Sequence, residues 1–97
     1  MAYKDMLKQD QRLVILRALY EMNGSANDSV LQKVLQTYGH KISRDQVKTH
    51  LHWLNEQELV EIESVMSTDV ATITSRGVDA ATGHARIPGV GQPRPGA

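Results

Sequence analysis

From Tyr3 to Met22 the chain has no proline or glycine, and its apolar residues recur at helical spacing. Leu13, Leu16 and Met22 share one stripe, Ile15, Leu19 and Met22 a second, and Val14 and Ala18 widen it. The pattern predicts a long first helix that buries a broad face. The polar run "NGSAND" at 23–28 interrupts it. Gly24 suits the left-handed C′ position, and Asn27 or Ser25 can cap the next helix. That second helix is expected from Asp28 to Tyr38, with Val30, Leu31, Val34 and Leu35 as its apolar face and Gly39 as its stop. "HKI" at 40–42 is too short for more than a bridge strand.

Ser43 and Gln46 form an S-x-x-Q capping box, so a third helix starts there. Val47, Leu51 and Leu54 line one side of it, and Leu59 lies beyond its end. The period then changes. Val60, Ile62 and Val65 stand with Glu61 and Glu63 among them, and Val70, Thr72 and Thr74 alternate with Ala71 and Ile73. This predicts two strands joined at Ser67, Thr68 and Asp69. Thr74 or Ser75 can cap a short last helix over 76–81, ended by Gly83. The terminal "RIPGVGQPRPGA" holds all three prolines and reads as an extended tail with no core of its own. The expected organisation is one domain over 1–84 and a Pro/Gly-rich flexible tail over 85–97.

Helix, helix, bridge, helix, strand, turn, strand, helix is a mainly α chain with a small β-hairpin, an α+β arrangement. It is the order of a winged helix-turn-helix, in which the second and third helices form the helix-turn-helix and the hairpin the wing. Composition agrees with a small helix-rich core: 97 residues, 40% hydrophobic, no Phe. Without Cys the chain can form no disulfide, thiolate metal site or Cys nucleophile. No apolar run approaches the roughly 20 residues of a membrane span, and the N-terminus is not a signal peptide. A soluble intracellular protein is expected. The formal net charge of +0 argues against coating nucleic acid by bulk electrostatics, but leaves room for a local basic patch.

Three stretches, "QDQRLVILRAL" (9–19), "ISRDQVKTHLHWLNEQELV" (42–60) and "ATITSRGVDAATGHARIPGV" (71–90), resemble small winged-helix proteins encoded in Mu-like phages and prophages. That resemblance covers nearly the whole chain. It implies a DNA-binding regulator similar to the ArsR type, acting in the cytoplasm of a bacterial host. It brings no catalytic residue and no metal ligand.

With Val47, Leu51 and Leu54 turned to the core, helical geometry turns Asp45, Thr49, His52 and Glu56 outward, with Arg44 and Lys48 on one flank and Trp53 on the other. The first turns of such a helix enter the major groove. The candidate DNA-binding residues are therefore Lys41, Ser43, Arg44, Lys48, Thr49 and His52. Arg44 and Lys48 suit guanine or phosphate, and Thr49 suits a thymine methyl or an acceptor. Against this, no Lys or Arg lies between Thr49 and Ser75, while Glu56, Glu58, Glu61, Glu63 and Asp69 do. The alternative is a protein-interaction module in phage development or assembly, docking a partner through this acidic wing without specific DNA binding. A homodimer through the long first helix is compatible with either reading.

Other residues point to no chemistry. His50 and His52 are two apart on a helix and cannot share a metal, so no metal site or cofactor is expected. Trp53 suits the core edge or an interface better than base stacking. Gly77 and Gly83 lack phosphate-loop spacing, and no carboxylate pair has a catalytic pattern. An enzyme is not expected.

Overall fold

The computed structural model describes residues 2–93. Its elements in chain order are α1 (Ala2–Glu21), β1 (Ser25–Asn27), α2 (Asp28–Thr37), α3 (Arg44–Glu56), β2 (Val60–Val65), β3 (Thr68–Ile73) and α4 (Ser75–Thr82). The fold is α+β: four helices and a small antiparallel sheet of order β1-β3-β2. No helix among the described residues is long and apolar enough to cross a membrane.

The core gathers where the apolar stripes converge. Ile15, Leu16 and Leu19 of α1, Leu31 and Leu35 of α2, and Val47, Leu51 and Leu54 of α3 are all fully buried. Leu59, Val60 and Ala71 close it from the sheet. The capping box at Ser43 forms as its spacing predicts: the Gln46 N–H donates to the Ser43 hydroxyl, and the Ser43 N–H donates to Gln46 Oε1. Asn27 caps α2 by accepting from the Val30 N–H, and Thr74 caps α4 by accepting from the Gly77 N–H. Gly77 also lets α4 sit against the α3–β2 connection, since a Cβ there would lie 2.2 Å from the Leu59 carbonyl oxygen.

Four local expectations differ from the structure. The left-handed C′ residue after α1 is Asn23 (φ 62), with Gly24 one step later donating its N–H to the Leu19 carbonyl. Its polar side chain lets asparagine adopt that conformation. The third strand is not at "HKI", which is irregular, but at Ser25–Asn27, where Ser25, Ala26 and Asn27 pair with Thr72, Ala71 and Val70. The hairpin turn is Met66–Ser67, because Val65 pairs with Thr68 and Asp69 lies inside β3 opposite Ser64.

The last difference is the tail. Ile87 and Val90 are buried, the Gly91 N–H donates to the Gln9 carbonyl, and Arg12 donates to the Gly89 carbonyl at 3.0 Å. The segment lies across α1 and α3 because Gly89 (φ 93) can approach the Trp53 ring, where a Cβ would come within 2.5 Å. Residues 85–93 thus complete the core. The remainder of the expected tail, 94–97, is outside the described residues.

Candidate nucleic-acid interface

The N-terminal end of α3 is built around a carboxylate from another helix. Asp28, the first residue of α2, has no solvent exposure. Arg44 donates from Nε to its Oδ1 at 2.9 Å, Lys48 Nζ stands 3.0 Å from its Oδ2, and the Asp69 N–H donates to Oδ2 at 3.0 Å. Burial alone would push the Asp28 carboxyl up. The Asp69 N–H and the Lys48 and Arg44 donors outweigh it, and the carboxyl titrates below its ordinary value.

The same cations reach the hairpin. Arg44 Nη2 donates to Thr68 Oγ1 at 3.1 Å, and Lys48 Nζ donates to the Ser67 carbonyl at 2.6 Å. Asp69 accepts from Ser64 Oγ at 2.8 Å and from His52 Nε2 at 3.2 Å. The first turns of α3, the start of α2 and the hairpin turn are therefore one hydrogen-bonded unit.

This arrangement separates the six candidate residues. Lys41 is exposed in the α2–α3 turn and joins no ion pair among the described residues. The Ser43 hydroxyl is occupied by its cap, and the Thr49 hydroxyl donates to the Asp45 carbonyl. His52 is exposed but bonded to Asp69. Lys48 is largely consumed internally, with only 26% of its side chain exposed against 43% for Arg44. Arg44 keeps an outward edge. A guanidinium carries five N–H donors, and two of Arg44's have partners among the described residues. Asp45 and Glu56 stand exposed on the same outward face.

The opposite flank of α3 carries a second polar network. Arg12 Nε donates to His50 Nδ1, so His50 Nε2–H donates to Gln11 Oε1 at 2.8 Å. Gln11 Nε2 in turn donates to His40 Nδ1, and His40 Nε2–H donates to Asp10 at 2.7 Å. Arg12 also lies 4.0 Å above the Trp53 ring. Burial, with Arg12, Lys8 and His40 nearby, lowers the His50 imidazole from 6.5 to about 4 and keeps it neutral. His50 thus ties α3 to α1, and His40 ties the α2–α3 turn to it. No three His, Asp or Glu side chains converge as a metal site among the described residues.

Sequence reasoning passed over Asp28 and Arg12. Asp28 is an ordinary first-turn acid by its local context, and its partners lie 16 or more positions away. The available signal was the i, i+4 spacing of Arg44 and Lys48 on one flank, which requires a shared anion if that flank packs inward.

No family model matches this chain. It is 52% identical over 91 residues to the uncharacterized protein gp26 of Escherichia phage Mu, covering 94% of this chain and 95% of that protein. It is 48% identical over 83 residues to an uncharacterized protein of Haemophilus influenzae (strain Rd), covering 84% of this chain and 81% of that one. At such identity over nearly the full length of both chains, the protein belongs to the family of phage Mu gp26, and its origin is a Mu-like phage.

Proposed function

We propose that this protein is a winged helix-turn-helix that binds double-stranded DNA, with α2 and α3 as the helix-turn-helix and β2–β3 as the wing. Regulation of phage transcription is the use we assign to that binding. The observation that carries the reading is the bracing of Arg44. Asp28 and Thr68 hold its guanidinium, while its other donors have no partner among the described residues and 43% of the side chain is exposed at the start of α3. An arginine fixed in this way loses little side-chain freedom on meeting guanine or phosphate. Lys41, exposed in the preceding turn, supplies a second cation at the same end.

Lys48 and Asp28 are assigned to bracing rather than to contact. The wing strand, with Glu61 and Glu63 exposed, is assigned no phosphate. Regulated DNA would come from the protein's own genomic neighbourhood. The test is an anisotropy titration of the full chain against tiled fragments of that region and against random duplex. The reading expects at least one fragment to bind more tightly than random duplex, with R44A removing the preference. Equal binding of all duplexes by both proteins would overturn it.

A further inference from the structure

The two-residue hairpin turn sets a positive φ at its first residue, and here that residue is an exposed methionine. Met66 is 98% exposed and adopts φ 58, a left-handed conformation that costs a non-glycine residue free energy. Val65 beside it is 52% exposed. Residues two apart on a strand share a face, so Glu61, Glu63 and Val65 form one exposed stripe running up to Met66. The tip is thus an apolar point with an acidic approach.

A surface of opposite character lies on the other flank of α3. A groove of about 340 Å³ opens between the first half of α1 and α3, with Leu7 and Ile42 as apolar lining and Lys4 and Lys8 as its cations. No carboxylate lines it, and neither lysine takes part in an ion pair among the described residues. His50 at its wall is neutral and adds no charge.

We propose that the wing tip of one copy docks in the α1–α3 groove of another, with Met66 in the groove and Glu63 against Lys8. A chain cannot fill its own groove. Its turn is held on the far flank of α3 by Lys48 on the Ser67 carbonyl and Arg44 on Thr68. Tip and groove lie on opposite flanks of α3, so a pair of copies makes one such contact and leaves a tip and a groove unfilled; the contact is heterologous and propagates into a ring or filament. The acidic stripe and the lysine pair select this orientation, and salt weakens it.

Sedimentation velocity of the full chain without DNA tests this separately from the DNA reading. The weight-average mass is expected to rise more than about twofold with concentration at low salt, and to fall back as salt is added. M66G should remain a monomer while melting at a higher temperature, since glycine relieves the turn; its loss of association is then not unfolding. K8E and E63K should each remain monomeric, and the K8E/E63K double variant should associate again. A wild type that stays monomeric up to ~1 mM, where a contact weaker than about 4 kcal/mol would leave it, overturns the proposal. So does association that survives M66G or K8E, or a double variant that fails to recover.

Discussion

Asp28 opens α2 and Arg44 opens α3, and their side chains meet at 2.9 Å around a carboxylate that solvent does not reach. Lys48 and the Asp69 N–H complete the anion's coordination, so a single side chain joins two helices and the hairpin. D28A would leave the Asp69 N–H buried without a partner, while Arg44 and Lys48 rehydrate in part because both are partly exposed. The expected loss is about 2–3 kcal/mol, from hydrogen bonds to a charged group and an orphaned donor. Urea denaturation followed by circular dichroism measures it, and a midpoint equal to wild type would refute the bracing role.

His50 gives stability a slope at mildly acidic pH. Its imidazole protonates at about 4 in the folded protein, against 6.5 ordinarily, because it is buried beside Arg12, Lys8 and His40. Between those values the unfolded chain binds the extra proton and the folded one does not. Stability contributed by neutral His50 is therefore present above about 6.5 and is lost as pH falls toward 4, by up to ~3 kcal/mol. H50Q should lower stability at pH 7 but flatten this part of the profile. An unchanged slope between pH 6.5 and 4 in H50Q would show that other groups produce it. Asp28 adds a separate acid loss at lower pH, because its depressed carboxyl stabilises the fold above its ordinary value and ceases to as pH falls through the folded one.

Removing residues 85–97 should destabilise the domain although its described part, 85–93, contains no helix or strand. It takes away buried Ile87 and Val90, worth about 3–5 kcal/mol together, and it uncovers Trp53. The tryptophan emission should shift red in the truncated protein and in G89A, where the added methyl would meet the Trp53 ring. Emission unchanged in both would remove the segment from the core.

Periodicity made the helices legible, because most positions that set it also bury: Leu31 and Leu35, or Val47, Leu51 and Leu54, are core by pattern and core in space, whereas Met22 and Val30, at the ends of their stripes, are exposed. Caps marked the helix starts equally well, since Asn27, Ser43 and Thr74 act on donors only three residues away. What pattern could not carry was long-range pairing. The strand Ser25–Asn27 exists because β3 offers it an edge, not through any propensity of its own. Proline and glycine in 85–93 suggested a tail, yet there glycine permits close approach to Trp53. The candidate site divided in the same way. The exposure of Asp45, Thr49, His52 and Glu56 came from helical geometry, whereas the engagement of Arg44 and Lys48 depended on Asp28, which only the fold brings to them.

That engagement separates two cations that look equivalent on the helix. If Arg44 contacts DNA and Lys48 braces the hairpin, their alanine variants should fail in different ways. R44A loses one cation–phosphate or base contact, so the slope of log affinity against log salt should fall by about 0.9. K48A should change that slope little. It instead loses its contacts with Asp28 and the Ser67 carbonyl, and should melt at a lower temperature. Because Arg44 also holds Asp28, R44K is the control: it keeps the charge but loses the guanidinium's fixed fork, so it should retain the salt slope while losing preference among duplexes. Titrations at two salt concentrations, paired with melting curves for the same preparations, distinguish the roles. A salt slope that drops in K48A and holds in R44A would reverse the assignment, making Lys48 the contact and Arg44 the brace.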